Sequence, residues 1–123
     1  PATRPLSRLF LLVQRPALEL LVIENTATGE IIGWCGLSDV PRTPRPTYEP
    51  EIFLKSSGQK QSVGAQVLNE LVLIASRLNH QVQTRIHVEN AASQGLMKKL
   101  NWSVMDRSGE WEVWVPPTSA LDG

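Results

Sequence analysis

Residues 51–78 read EIFLKSSGQKQSVGAQVLNELVLIASRL and contain the clearest helix pattern in the chain. Glu51 to Leu54 predicts a short strand, and the polar stretch after it contains Gly58 as a break. From Val63, apolar residues recur at steps of three and four, which predicts a helix with a wide buried face. A strand that leads into a helix in this way is typical of a sheet flanked by helices.

A β-hairpin is predicted on the N-terminal side of this segment. Residues 18–24 form a dense apolar run, residues 26–29 have turn composition, and residues 31–37 form a second apolar run. Residues 38–50 contain four prolines, a composition that sustains neither a helix nor a strand, so they are predicted to be a loop.

A short helix is predicted before the hairpin. Leu6, Leu9, Phe10 and Val13 have helical spacing, and the helix is expected to end before Pro16.

The C-terminal third predicts a strand, a helix and a second hairpin. Residues 84–88 alternate as a strand does, and Asn90 is a suitable cap for a helix over residues 91–100. Two short strands, near residues 102–105 and 110–115, are separated by turn residues 106–109. The predicted fold class is therefore α/β (α+β), a mixed and mostly antiparallel central sheet flanked by helices.

Composition limits the kind of protein. A chain of 123 residues with 41% hydrophobic and 20% charged residues suits one globular domain. Twelve basic residues balance twelve acidic ones, so no broad basic surface favours nucleic acid as a partner. The apolar runs are far shorter than the ~20 residues of a membrane-spanning helix, so no membrane partner is expected.

Cysteine and histidine usage is sparse. Cys35 is the only cysteine and lies in an apolar run, which favours a core position and a reducing, cytoplasmic setting. The N-terminal residues do not have the pattern of a signal peptide. His80 and His87 match no zinc-ligand spacing, so no metal is expected.

The start of the long helix is a candidate phosphate site. Residues 59–65 read QKQSVGA, and Gly64 would allow the backbone to approach a ligand closely. Unpaired N–H groups and the positive end of the helix dipole favour an anion there. A glycine that serves only packing is the alternative interpretation.

Three segments together resemble the GNAT superfamily of acyl-CoA-dependent N-acyltransferases. Residues 59–65 are similar to the Q/R-x-x-G-x-G/A loop that holds the acyl-CoA pyrophosphate. Residues 90–102, NAASQGLMKKLNW, resemble the family's N-x-x-[SA]-x-x-L-Y-x-K-L-G-F segment. Residues 30–37 look like the family's second and third strands, and the resemblance extends over residues 18–115.

The resemblance implies a GNAT fold that binds acetyl-CoA and transfers its acetyl group to an amine of a small molecule or a peptide. A single domain is expected. It would comprise an N-terminal helix (residues 1–17), a hairpin (18–37), a Pro-rich loop (38–50), a cofactor-binding core (51–115) and a tail (116–123). Main-chain groups near the end of the central strand would pair with the pantetheine arm, the helix start would receive the pyrophosphate, and two residues would face the thioester. These cofactor-binding candidates are Phe53, Leu54, Lys55, Gln59, Lys60, Gln61, Ser62, Val63, Gly64, Ala65, Asn90 and Ser93.

Three residues are candidates for the catalytic base that removes a proton from the amine. Glu51 and Glu49 lie at the start of the central strand, near where family members often carry a base. His87 lies on the opposite side of its strand from Ile86 and Val88, and a packed or surface role is the alternative for it.

Departures from the family pattern support a second hypothesis. Ser62 stands where the family has glycine, and Met97 stands where many members place a tyrosine that protonates the leaving thiolate. The alternative function is a catalytically degenerate GNAT-fold domain that acts as a CoA-binding or protein-interaction module.

The short N-terminal segment has a further implication. With no strand before it, the apolar strand over residues 18–24 would be an exposed sheet edge. We expect either the N-terminal helix or a second copy of the chain, as a homodimer, to cover that edge.

Overall fold

The computed structural model describes residues 7–11, 21–55 and 63–117. In these ranges the chain has a mixed α+β architecture with mainly antiparallel sheets. The elements in chain order are β1 (Ser7–Leu11), β2 (Leu21–Asn25), β3 (Ile31–Asp39), β4 (Thr47–Leu54), α1 (Val63–Arg77), β5 (Gln81–Val82), β6 (Thr84–His87), α2 (Ala91–Lys99), β7 (Ser103–Ser108) and β8 (Trp111–Val115).

The strands form two sheets. The first has the order β1-β2-β3-β4-β5, and the second has the order β6-β8-β7. Val40 N–H donates to Thr47 O and Lys55 N–H donates to Ile32 O, which sets the antiparallel register of β3 and β4. The ladder between β4 and β5 is parallel, whereas β1–β2, β2–β3, β6–β8 and β7–β8 are antiparallel.

The chain divides into two compact units, and β4 and α1 each contribute residues to both. Unit 1 comprises Pro1–Ser38 and Pro50–Leu71, and unit 2 comprises Asp39–Glu49 and Val72–Gly123. The buried apolar residues of unit 1 are Leu21, Ile23, Ile32, Cys35, Leu37, Val63, Val67, Leu68 and Leu71, and those of unit 2 are Tyr48, Val72, Ala75, Val82, Ile86, Met97, Trp102 and Trp114.

The N-terminal prediction is wrong in one respect. Ser7–Leu11 is a strand, not part of a helix, and it pairs antiparallel with β2 in a five-residue ladder. The N-terminal segment thus covers the edge of β2, but it does so by strand pairing, which satisfies the main-chain groups of that edge directly. The argument for a homodimer through β2 no longer applies.

The predicted loop over residues 38–50 is shorter than expected. β3 continues to Asp39, β4 already begins at Thr47, and Pro50 lies inside β4. The register of β3 and β4 directs the main chain of even-numbered β4 residues away from β3. Pro50 therefore removes no donor from the β3–β4 ladder, which is why a strand tolerates it here.

The other two predicted helices, from Val63 and after Asn90, are confirmed. α1 begins at Val63, and Asn90 Oδ1 accepts a hydrogen bond of 3.1 Å from Ser93 N–H as the cap of α2. The short strand β5 was not predicted. The C-terminal turn is tighter than predicted, because β7 extends to Ser108. The turn begins at Gly109, which has a φ of 62°.

Gly33 allows an unusually close approach of β3 to β4. The pairing of β2 and β3 has an irregularity next to this residue, between Ile23 and Glu24. A Cβ atom at Gly33 would collide with the main-chain oxygen of Phe53 and would lie 3.0 Å from Leu54 Cα. Both obstacles are backbone, so a side chain cannot be accommodated by a change of rotamer.

We predict that Gly33→Ala destabilises the protein by about 1–3 kcal/mol, because the two strands must separate to admit the methyl group. Urea unfolding followed by circular dichroism measures this change. Gly95→Ala is the matched control, since nothing lies within 4 Å of a Cβ at that position in α2. It should raise stability by about 0.5–1 kcal/mol. Equal unfolding midpoints for Gly33→Ala and the wild type would contradict the close approach.

Candidate functional site

The start of α1 in unit 1 has room for a ligand at its glycine. No acidic side chain lies in the first turn of the helix, so no carboxylate of that turn competes for its N–H groups. Of the atoms in the described part of the chain, a Cβ at Gly64 would meet only Leu54 Cδ1, at 3.9 Å, which is an ordinary contact. The predicted contacts at residues 59–62 lie outside the described residues.

β4 is the strand that precedes this helix in the chain. Its main-chain N–H and C=O groups point alternately towards β3 and away from β3. Lys55 N–H donates to Ile32 O at 2.8 Å, so this donor is used within the sheet. Phe53 has the same alternation as Lys55, whereas Ile52 and Leu54 direct their main-chain groups to the edge opposite β3. Of the predicted residues Phe53, Leu54 and Lys55, Leu54 is the one whose main-chain groups point away from β3, where a ligand could pair with them. Sequence reasoning missed Ile52, which only the register with β3 identifies.

In unit 2, the parallel ladder of β4 and β5 is very short. It joins Thr47 to Gln81 and Tyr48 to Val82, and Gln83 N–H then donates to Tyr48 O at 3.0 Å. After this point the chain continues as β6, which pairs with β8 in the second sheet. The sheet therefore splits immediately after the Tyr48–Gln83 hydrogen bond.

Glu49 lies at this split and is held by Arg85. Arg85 N–H donates to Glu49 Oε2 at 3.3 Å, and Arg85 Nε contacts Glu49 Oε1 at 3.3 Å. The carboxylate thus accepts from a β6 main-chain donor where a regular ladder would offer a carbonyl oxygen. This arrangement gives Glu49 a structural role in terminating the ladder.

His87, also in unit 2, has partners at both ring nitrogens. Glu89 N–H donates to Nδ1 at 3.1 Å, and Nε2 lies 2.8 Å from Glu110 Oε1. Because Nδ1 accepts, the proton is on Nε2, which donates to the carboxylate. Trp111 packs its ring edge-to-face against the imidazole at 5.2 Å. The lone pair on Nδ1 of His87 therefore accepts the hydrogen bond from Glu89 N–H.

Glu51, in unit 1, has a more open environment. Its side chain is exposed, and its Oε2 accepts a hydrogen bond of 3.4 Å from Ser38 Oγ. The three candidate bases thus differ: two are held in hydrogen-bonded clusters of unit 2, whereas Glu51 faces solvent.

Helix α2 carries Asn90 at its cap and Ser93 in its first turn. The buried carboxylate of Glu112 ties the helix to β8. Gln94 Nε2 donates to Val88 O at 2.9 Å and to Glu112 Oε1 at 3.4 Å. Glu112 also accepts from Trp114 Nε1 and from the Arg107 guanidinium. Met97 is only 6% exposed and belongs to the core, so this position serves packing.

The pKa of Glu112 is lowered from its ordinary value. The hydrogen bond from Arg107 is the largest cause, the bond from Trp114 and the charge of Lys98 act in the same direction, and burial opposes them. The ionised carboxylate is therefore favoured in the folded state, and this network was not predicted from the sequence.

We predict that the stabilising effect of Glu112 depends on pH. Because its folded pKa is below that of the unfolded chain, near 4.3, the contribution is complete above that value and is lost as pH falls through the folded pKa. Glu112→Gln should lower the free energy of unfolding at pH 7, and the difference from wild type should shrink towards pH 3. Urea unfolding across this pH range measures the difference, and a gap independent of pH would contradict the assignment.

Other groups in the described ranges indicate neither a metal site nor a reactive thiol. No group of three or more His, Cys, Asp or Glu residues there is arranged to hold a metal ion. Burial raises the pKa of the Cys35 thiol to about 12, in agreement with a core position. Neither described helix is long and apolar enough to cross a membrane.

Fold and site together define an α+β domain with a split sheet and an accessible start to its longer helix. The sequence matches the acetyltransferase (GNAT) domain family over residues 7–103, and the chain belongs to that family. No curated protein matches.

Solved structures share this fold. One is the structure of yncA from Salmonella typhimurium with its cofactor acetyl-CoA, which is 24% identical in sequence and has a TM-score of 0.60. The alignment covers 78% of the present chain and 60% of the yncA chain. A chimera of the spermidine N-acetyltransferase SpeG from Vibrio cholerae and hSSAT is 16% identical with a TM-score of 0.66, covering 83% and 68%. The NatC complex bound to Gag peptide and CoA is 13% identical with a TM-score of 0.63, covering 80% and 70%.

The present chain is short beside several of these proteins. It spans 58–62% of the length of the first three structures compared, which include the yncA protein and a GNAT protein from Listeria monocytogenes.

Proposed function

We propose that the chain binds acetyl-CoA and transfers the acetyl group to an amine of a small molecule or a peptide. The observation that carries this proposal is Gly64 in the first turn of α1, where a Cβ would meet Leu54 Cδ1 of β4 only at 3.9 Å among the described residues. Membership of the GNAT family and the acetyl-CoA in the yncA structure support it. A reducing, cytoplasmic location is part of the proposal, because the single cysteine is buried and free.

The cofactor contacts proposed for this chain come mainly from one segment of unit 1. Main-chain groups near the end of β4 would bind the pantetheine arm, and backbone amides at the start of α1 would bind the pyrophosphate. When bound, acetyl-CoA supplies an acetyl group activated as a thioester. The proposed contact residues are Leu54, Gln59, Lys60, Gln61, Ser62, Val63, Gly64 and Ala65, with Ile52 added by strand alternation. Phe53 and Lys55 are not proposed as main-chain contacts, because their main-chain groups face β3. Asn90 and Ser93, which belong to unit 2, stay predictions from the sequence.

Glu51 is the proposed base. It would accept the proton of the attacking ammonium, which must become a neutral amine before it can attack a carbonyl carbon. Glu49 and His87 remain weaker candidates, because their polar atoms are used by Arg85, Glu89 and Glu110.

A catalytically degenerate binding module is the second candidate function. The burial of Met97 favours it, because a thioether in the core cannot donate a proton to the leaving thiolate. Acetyl-CoA binding without any amine acetylation would select this alternative.

We predict that Gly64→Val weakens acetyl-CoA binding at least tenfold while the fold is retained, because a branched side chain would occupy the space that the phosphates need. Isothermal titration calorimetry measures the affinity, and a thermal melt without ligand verifies folding. Gly95→Val is the control, since Gly95 also lies in a helix with open space around it. Unchanged acetyl-CoA affinity in Gly64→Val would exclude this pocket.

We predict that Glu51→Gln lowers kcat about a hundredfold or more and leaves acetyl-CoA affinity within about twofold, since general base catalysis contributes about 10²–10⁴ to a rate. Steady-state acetylation assays and calorimetry supply the two measurements. Glu70→Gln, at an exposed position of α1, should match the wild type. Wild-type rates in Glu51→Gln would remove Glu51 from the mechanism.

A further inference from the structure

His87 is a titratable residue for which the proposed transfer reaction leaves no clear role. It lies at the end of β6, and its side chain is 28% exposed, so protons from solvent can reach it. Nδ1 accepts from Glu89 N–H at 3.1 Å, and Nε2 lies 2.8 Å from Glu110 Oε1. Because a backbone N–H can only donate, one form of the side chain makes both contacts, namely the neutral imidazole with its proton on Nε2.

The contact at Nδ1 holds the turn that joins β6 to α2. Glu89 N–H lies within this turn, and Asn90 N–H donates to His87 O at 2.9 Å to close it. Ala91 N–H then donates to Glu89 O at 3.0 Å. Asn90 caps α2 by accepting from Ser93 N–H. The side chain of His87 is therefore bound to the segment from which α2 starts.

A second proton on the imidazole is incompatible with this arrangement. The imidazolium carries an N–H at both ring nitrogens, so Nδ1 has no lone pair left to accept the hydrogen bond from Glu89 N–H. Two N–H groups would then face each other across the 3.1 Å that separates the nitrogen atoms. Either the ring or the turn must move.

The contacts on the other side of the ring persist in both states. Nε2 of His87 still donates to Glu110 Oε1 after protonation, and the contact becomes an ion pair between a cation and a carboxylate. Trp111 packs edge-to-face against the imidazole at 5.2 Å and restricts its rotation. Because the ring is held on this side, the turn is the part that moves.

Other charged and polar groups around His87 do not contact its ring nitrogens. Arg85, on the same face of β6, is engaged by Glu49. Helix α2 contributes the neutral Gln94, which donates to His87 O at 3.4 Å, and the turn contributes the exposed Glu89. Protonation of the imidazole therefore acts mainly on its two contacts, with Glu89 N–H and with Glu110.

We propose that His87 is a pH-sensitive switch, which holds residues 88–90 when it is neutral and releases them, loosening the start of α2, when it is protonated. Histidine is the side chain that ordinarily changes charge between about pH 5 and pH 8, so the switch would act in that range. All the contacts involved belong to unit 2, and the inference does not depend on acetyl transfer.

Nuclear magnetic resonance of the full chain between about pH 8 and pH 5 tests the switch, in a range where glutamate carboxylates ordinarily stay ionised. At the upper limit, the ring nitrogens of His87 should show a protonated Nε2 and an unprotonated Nδ1. On acidification, the amide resonances of Glu89 and Ser93 should move with the same midpoint as the His87 ring. Constant resonances of either amide, or a protonated Nδ1 at the upper limit, would overturn the proposal.

Two variants of His87 separate the switch from an ordinary contact. In His87→Asn the side-chain oxygen can accept from Glu89 N–H in an Asx turn but does not titrate, so the Glu89 amide should lose its pH dependence. His87→Leu removes the acceptor, and its Glu89 amide should exchange with solvent about fivefold faster than in His87→Asn. Equal exchange in the two variants, or a pH transition of Glu89 that persists in His87→Asn, would contradict the mechanism.

The matched control is His80→Asn. His80 is the other histidine of the chain, and its Nδ1 contacts Leu78 O at 2.9 Å within its own turn. This variant should keep the transition of the Glu89 and Ser93 amides at the wild-type midpoint. Loss of that transition in His80→Asn would assign it to the wrong histidine and reject the switch at His87.

Discussion

The hydrogen bond from Arg85 N–H to Glu49 Oε2 occupies the point at which one sheet becomes two. Up to Tyr48 and Gln83 the main chain pairs with main chain, and at the next donor a carboxylate takes the place of a carbonyl oxygen. This exchange satisfies a main-chain donor that would otherwise lose its partner within the protein. Pro50, which follows directly, has no N–H and cannot donate to a strand on that side. Two adjacent residues therefore end the parallel ladder and leave β6 to pair with β8.

Two glutamates on one strand thus have different surroundings. Glu49 has its carboxylate oriented by two groups of Arg85, one from the main chain and one from the side chain. Glu51 accepts from a serine hydroxyl and remains exposed to solvent. A carboxylate that must take up a proton from a substrate needs access more than it needs partners, so residue type and spacing alone could not separate these two candidates.

Patterns decided by neighbouring residues were predictable from the sequence. The helix from Val63 and the Asn90 cap depend on contacts within a few residues, and both are where the periodicity and the capping residue place them. The strand at Ser7–Leu11 was not predictable in this way, because its apolar residues fit helical spacing and the pairing with β2 depends on residues ten or more positions away. Pro50 shows the same limit, since a proline is compatible with a strand only when its missing N–H faces away from the partner, and the register sets that direction. The partners of His87 come from Glu89 and Glu110, and only the fold brings Glu110 to the imidazole.

Helix α2 illustrates how a position can change its role without disturbing the segment around it. Its first turn is held by the Asn90 cap and by the bond between Gln94 and the buried Glu112, so Asn90 and Ser93 are placed by contacts that do not involve Met97. Met97 instead fills the core of unit 2. Met97 supplies no proton donor, but the architecture of the helix does not require one at this position. A thiol is far more acidic than an alcohol, so the thiolate is a competent leaving group from a thioester without prior protonation. Transfer from a thioester therefore depends less on an enzymatic acid than on removal of the amine proton, and Glu51 is the residue proposed above for that step.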